Sequence, residues 1–78
     1  MPTVANVGPY KFMINTLENS YEPPHVHVWI GNEDLCRIEL ISGSFMEPPP
    51  RGERRSIMKA FTEHAGAIRE KWNEIHGT

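Results

Sequence analysis

The sequence predicts an α+β domain, in which an antiparallel sheet of three or four strands is followed by one long C-terminal helix across one sheet face. Three observations lead to this fold. Apolar and polar residues alternate at several places in the first half of the chain, as in half-buried strands. A triple proline at 48–50 then interrupts the pattern. Beyond it, apolar residues recur every three or four positions, as on a helix. A length of 78 residues fits a single domain.

Short strands are expected within residues 1–46, where the alternation occurs. Gly8-Pro9 and the stretch 31–34 supply turns, and such short connections favour an antiparallel meander. One face of this meander is apolar and forms the expected core. The main strand candidates are residues 10–14, 25–30 and 35–41, and residues 3–7 and 45–46 are candidates for an additional short strand at either end. The core candidates are Tyr10, Phe12, Ile14, Val26, Val28, Ile30, Cys36, Ile38 and Leu40.

The second half of the chain predicts a proline-rich link over residues 47–52 and a helix over residues 53–76. Apolar residues spaced three and four positions apart form one stripe along such a helix. No other predicted element can cover the core face of the sheet, so the opposite face is expected to stay uncovered. The stripe consists of Met58, Phe61, Ala65, Ile68, Trp72 and Ile75, and Ile57 widens it.

Composition and charge limit the function classes. The formal net charge of −2 argues against the global basic field of a nucleic-acid-binding protein. The single cysteine, Cys36, excludes an internal disulfide and fits a reducing compartment. The sequence has neither an apolar run long enough to span a bilayer nor the start typical of a signal peptide. We therefore expect a cytoplasmic protein with no membrane partner.

The strongest candidate site lies in the segment Glu22-Pro23-Pro24-His25-Val26-His27-Val28. The prolines keep the chain extended, and the following strand alternates, so His25, His27 and Trp29 are expected on the uncovered face. His64 and His76 belong to the helix and are expected away from this pair.

Three interpretations of His25 and His27 are open. The simplest is a pair of half-buried interface residues. Imidazoles transfer protons near neutral pH, so both are also candidate catalytic residues of a ribonuclease, with Lys11 and Arg37 as cations. Two adjacent imidazoles can also bind a divalent transition metal such as zinc. No clear third ligand accompanies them, so no cofactor is expected and metal is the alternative.

Trp29 indicates an interaction surface, because a large aromatic side chain on an uncovered sheet face is typical of an interface. Met13, Leu35 and Ile41 are expected to extend it into an apolar patch. The partner would be a second copy of the chain, which gives a homodimer, or a neighbouring small protein.

A basic cluster lies at the predicted start of the helix. Solvated side chains screened by Glu47 and Glu53 are the simpler interpretation. The alternative is an anion site, which would bind phosphate or nucleic acid. The cluster consists of Arg51, Arg54, Arg55 and Lys59.

Several segments together resemble a small bacterial family of unknown function, DUF4160. They are the start Met1-Pro2-Thr3-Val4, the strand 10–12, the segment 22–28 and the helical Trp72-Asn73-Glu74. The resemblance implies a stand-alone protein encoded beside another small protein, in a toxin–antitoxin-like arrangement. The leading interpretation is therefore a protein-interaction module of such a pair. A histidine-based or metal-assisted ribonuclease and a nucleic-acid-binding regulator are the alternatives.

Overall fold

A computed structural model describes residues 3–16 and 22–77 as five antiparallel strands and one helix. The predicted α+β class is confirmed, and the sheet contains one strand more than the upper number expected. The strands neighbour one another in chain order, as in the predicted meander. Met1, Pro2, residues 17–21 and Thr78 lie outside the described residues. The elements are β1 (Thr3–Val7), β2 (Tyr10–Met13), β3 (His25–Ile30), β4 (Glu33–Glu39), β5 (Phe45–Glu47) and α1 (Arg54–His76).

Two glycines in the left-handed backbone region form the tight turns of the meander. Gly8 lies between β1 and β2, Gly31 lies between β3 and β4, and both have a φ of 58°. Glycine adopts this conformation without steric cost, and other residues rarely do. The β3–β4 pair also contains a bulge, because Val28 pairs with Cys36 whereas Trp29 pairs with Asp34. Because of this bulge, Asp34 rather than Leu35 of β4 lies beside Trp29.

The hydrophobic core lies between α1 and one face of the sheet. Apart from Ile30, which is only partly buried, every core candidate named from the sequence is buried in the structure. Burial of apolar side chains supplies about 25 cal/mol per Å² removed from water, so this layer dominates the stability of so small a domain. The helix contributes Ile57, Ala60, Phe61, Ala65, Ile68 and Trp72 to it.

A hydrogen bond across the core edge holds the start of α1 to β2. Glu53 precedes the first helical residue but makes no side-chain cap on the helix. Its Oε2 instead accepts a hydrogen bond of 2.6 Å from the hydroxyl of Tyr10. This bond raises the pKa of Tyr10, and burial adds to the shift, because both disfavour the phenolate.

The end of α1 is held to the polar segment that follows β2. Gly77 adopts a left-handed backbone and donates its N–H to the carbonyl of Asn73, which ends the helix. One residue earlier, Nε2 of His76 lies 3.2 Å from the carbonyl oxygen of Asn15. Neither α1 nor any other helix among residues 3–16 and 22–77 has the length and hydropathy needed to cross a membrane.

Candidate functional site

The sheet face opposite α1, called here the outer face, carries two rows of side chains that run across the strands. Paired residues of antiparallel strands project to the same side, so the register defines each row. The Trp29 row consists of Asn6, Lys11, Trp29 and Asp34. The His27 row consists of Thr3, Met13, His27, Arg37 and Glu47.

Trp29 lies in the middle strand, between an exposed cation and an exposed anion. Lys11 pairs with it from β2 and Asp34 from β4. The indole is half-buried, yet its Nε1 is inaccessible to solvent and has no hydrogen-bond acceptor among the described residues. A buried N–H without an acceptor costs about 1–3 kcal/mol, and this nitrogen is already closed off from solvent within the single chain.

His27 and Asp34 connect the two rows. His27 Nδ1 lies 3.3 Å from Asp34 Oδ2, with the imidazole 13% exposed and the carboxylate 41% exposed. A carboxylate oxygen accepts hydrogen bonds, so Nδ1 of His27 is the protonated nitrogen in this contact. Asp34 is not among the candidate residues that the sequence pattern predicts. It reaches His27 and Trp29 because of the β4 bulge, for which the sequence carries no signal.

Arg37 is held between two carboxylates, one on each side. Its Nε donates to Glu47 Oε1 at 2.7 Å, and its Nη1 donates to Glu22 Oε2 at 2.6 Å. These hydrogen bonds raise the pKa of Arg37, since both stabilise the charged guanidinium. A guanidinium already neutralised by two anions is poorly suited to hold a phosphate, so one of the two cations expected for a ribonuclease site is already paired.

The prediction that His25 lies on the uncovered face is wrong. Its side chain is 0% exposed, and its ring centroid lies 6.0 Å from that of Trp72 in α1 and 5.2 Å from that of His27. Nδ1 lies 2.8 Å from the carbonyl oxygen of Pro23, which only accepts, so this nitrogen carries a proton. His25 therefore joins the helix to the sheet, and a group buried to this degree cannot contact a substrate in solution.

His76 also lies nearer to this region than the sequence suggested. Its ring stacks on Trp72 with centroids 3.9 Å apart, and Trp72 in turn contacts His25. Four rings thus form a continuous row, in the order His27, His25, Trp72 and His76. Trp72, near the end of α1, packs against the first residue of β3, a contact that alternation along a strand does not reveal.

The geometry gives little support to a metal centre. No group of three or more His, Cys, Asp or Glu side chains suited to a metal ion occurs in the described part of the chain. His25 and His27 both use Nδ1 as a donor, so any ligation by this pair would be confined to Nε2. Cys36 lies in the core, where burial raises the pKa of its thiol to about 12.

The four residues expected to form one apolar patch do not lie together. Trp29 and Met13 are on the outer face, and both are half-buried. Leu35 is the extra residue of the β4 bulge and packs partly against the core. Ile41 is 75% exposed, but it follows β4 in a turn and lines a cavity beside Trp72. Ile41 therefore does not belong to the outer face.

The basic cluster divides into two parts. Arg54, Arg55 and Lys59 line one groove beside β5, whereas Arg51 lies in a separate cavity with Pro49 and Gly52, to which Arg54 also contributes. All four cations are exposed. The two carboxylates expected to screen them have other partners, since Glu47 binds Arg37 and Glu53 binds Tyr10.

The fold and the site define a small α+β domain with one helix-covered sheet face and one face bearing a Trp–His–Asp cluster. The chain belongs to the family described as a domain of unknown function, DUF4160, whose model matches residues 10–73. The resemblance seen in the sequence is thereby confirmed. No curated protein and no solved structure matches the chain. The family assigns no activity, so a functional proposal depends on the geometry.

Proposed function

We propose that this protein is a protein-interaction module that pairs with a second copy of itself through the outer face around Trp29. The observation that carries the proposal is the half-buried indole of Trp29 in the middle strand of the outer face, flanked by the exposed Lys11 and Asp34. Tryptophan is enriched among the residues that dominate interface energies. Among the described residues, the helix packs against the opposite face of the sheet.

Charge in the Trp29 row favours a second copy as the partner. Lys11 and Asp34 flank Trp29 on opposite sides, one strand away in each direction. A two-fold axis parallel to the strands and passing over Trp29 brings Lys11 of each copy over Asp34 of the other. Stacked indoles in such an arrangement contribute about 0.5–1.5 kcal/mol beyond area burial, and each rim ion pair about 0.2–1 kcal/mol.

The size of the outer face indicates a weak dimer. Five strands spaced about 4.8 Å apart span about 19 Å, and the six residues of β3 extend about 20 Å. The resulting area of about 400 Å² is well below the roughly 800 Å² per partner of a standard interface. Dimerisation should therefore depend on protein concentration in the micromolar range or above.

Charge reversal tests this geometry directly. Lys11→Glu places two carboxylates opposite each other in the dimer, and Asp34→Lys places two ammonium groups opposite each other, so each variant alone should be monomeric. A mixture of the two variants restores both ion pairs and should form a heterodimer, visible by native mass spectrometry. Arg51→Glu makes the same charge change as Lys11→Glu but lies outside the outer face, so it should leave dimerisation unaltered. Single variants that dimerise as the wild type does would contradict the proposal.

We further propose that the protein belongs to a toxin–antitoxin-like pair, an arrangement that the family resemblance implies. In that setting the small protein encoded alongside would compete with the second copy for the outer face. Co-purification of wild type and Trp29→Ala with that neighbour tests this part. If Trp29→Ala still co-purified with the neighbouring protein, the outer face would not be the surface that binds it.

The ribonuclease alternative receives less support and is not developed as a second function. It requires two accessible histidines, whereas His25 is 0% exposed. Of its two expected cations, Arg37 is paired with two carboxylates, and Lys11 is exposed. The regulator alternative rests on the basic cluster, whose surroundings suggest a different ligand.

A further inference from the structure

A groove with a volume of about 660 Å³ runs between β5 and the first half of α1. The side of the groove formed by α1 carries two rows of side chains. Within each row, successive residues are four positions apart in the sequence and therefore neighbour each other on the helix surface. One row carries Arg54, Met58 and Thr62, and the other carries Arg55, Lys59 and Glu63. Phe45 of β5 forms the opposite side. Phe45 and Met58 are both half-buried, so the floor of the groove is apolar.

The rim of this groove is strongly basic. Arg54, Arg55 and Lys59 are exposed, and Glu63 is the only acidic side chain that lines the groove. Glu47 and Glu53, the acidic residues nearest in sequence, bind Arg37 and Tyr10 instead. Long cationic side chains over an apolar floor favour a ligand that combines carboxylates with apolar groups.

The strand beside the groove lies at an edge of the sheet. β5 comes last in the strand order and pairs only with β4 among the described strands. An extended peptide can add to such an edge, where backbone hydrogen bonds provide affinity and alternate side chains enter the neighbouring groove. β5 has three residues and Pro48 follows it, so the edge would accept a short segment only.

We propose that this groove is a second binding site, which takes a short, extended, acidic segment of another protein with alternating apolar and carboxylate side chains. The apolar side chains lie on Phe45 and Met58, and the carboxylates bind Arg54, Arg55 and Lys59. An apolar floor of this kind offers little to a phosphate backbone, so the observations favour a peptide over nucleic acid. The site is independent of the outer face.

Fluorescence anisotropy with defined probes tests the site. The main probe is a labelled peptide in which Glu and Val alternate. Two control peptides replace Glu by Lys or Val by Ser, and oligouridylate of equal charge represents nucleic acid. The acidic apolar peptide should bind, and each control peptide should bind at least about tenfold more weakly, since both halves of the contact are required.

Two variants with the same change of charge locate the binding. Lys59→Glu alters the groove and should weaken peptide binding about tenfold or more, whereas Arg51→Glu lies outside it and should change binding less than about twofold. Both positions are exposed, so neither substitution threatens the fold. The proposal would be overturned if Lys59→Glu and Arg51→Glu weakened peptide binding equally. It would also be overturned if the Val-to-Ser peptide bound the wild type as tightly as the Glu–Val peptide does. Tighter binding of oligouridylate, lost on Lys59→Glu, would replace it with a nucleic-acid site.

Discussion

Removing the ring of His25 should destabilise the fold strongly, because the ring fills the junction between β3 and the end of α1. The side chain is 0% exposed and contacts both Trp72 and His27. Truncating a buried side chain of this size to alanine typically costs about 2–4 kcal/mol. His25→Ala also leaves the carbonyl of Pro23 without its donor, which adds roughly 1 kcal/mol.

This cost is large compared with the whole stability of the domain. At about 0.05–0.15 kcal/mol per residue, 78 residues give a free energy of unfolding of roughly 4–12 kcal/mol. The unfolding entropy of such a domain is about 0.16 kcal/mol per kelvin, so a loss of about 3 kcal/mol lowers the Tm by about 15–20 °C. Urea denaturation followed by circular dichroism measures the change in free energy.

Two further variants separate the hydrogen bond from the packing. His25→Asn retains a side-chain N–H at the position of Nδ1 and should recover about 1 kcal/mol relative to His25→Ala. His25→Phe keeps most of the ring volume but cannot donate to Pro23. A free energy of unfolding for His25→Ala within about 1 kcal/mol of the wild type would refute the structural role. It would reopen the catalytic and metal hypotheses for this residue.

Two more predictions concern groups whose pKa is raised by the fold. Tyr10→Phe removes the bond to Glu53 and should lower the free energy of unfolding by about 1–2 kcal/mol at pH 7, measured in urea. Because the folded state holds the Tyr10 proton more tightly than the unfolded state, Tyr10 contributes to a fall in wild-type stability as the pH rises above 10. The raised pKa of Cys36 acts in the same direction in both proteins, so the fall should be smaller in Tyr10→Phe, and identical pH profiles would contradict the prediction. Cys36, with a pKa of about 12, should react with iodoacetamide at pH 8 at least about 100-fold more slowly than in urea, and equal rates would show that it is accessible.

The sequence predicted the layers of this fold because each layer has its own hydrophobic period. Alternation at Tyr10, Phe12 and Ile14 marked the core side of β2, and the spacing from Phe61 to Trp72 marked the buried side of α1. Short end strands such as β5 have too few residues for a clear period, so their pairing depends on contacts that only the folded chain provides.

The candidate site was less predictable, because its parts meet through tertiary contacts. The β4 bulge brings Asp34 rather than Leu35 beside Trp29, and one extra residue leaves no mark in the hydrophobic pattern. The burial of His25 depends on a contact with Trp72 of α1, which lies 47 positions away in the sequence. Ile41 was assigned to the outer face by continuing the alternation of β4, but the strand ends at Glu39 and the chain turns.

The central claim is that the outer face pairs two copies of the chain through Trp29. The most direct test is light scattering at neutral pH over a range of concentrations, with zinc and with chelator, for wild type, Trp29→Ala and Ile41→Ala. Ile41 is exposed but lies off the outer face, so its variant is the matched control for lost apolar surface. The account predicts a concentration-dependent dimer for the wild type and Ile41→Ala, and a folded monomer for Trp29→Ala, whatever the metal. A wild type that stays monomeric at every concentration, or a Trp29→Ala variant that dimerises as well as the wild type, would contradict it.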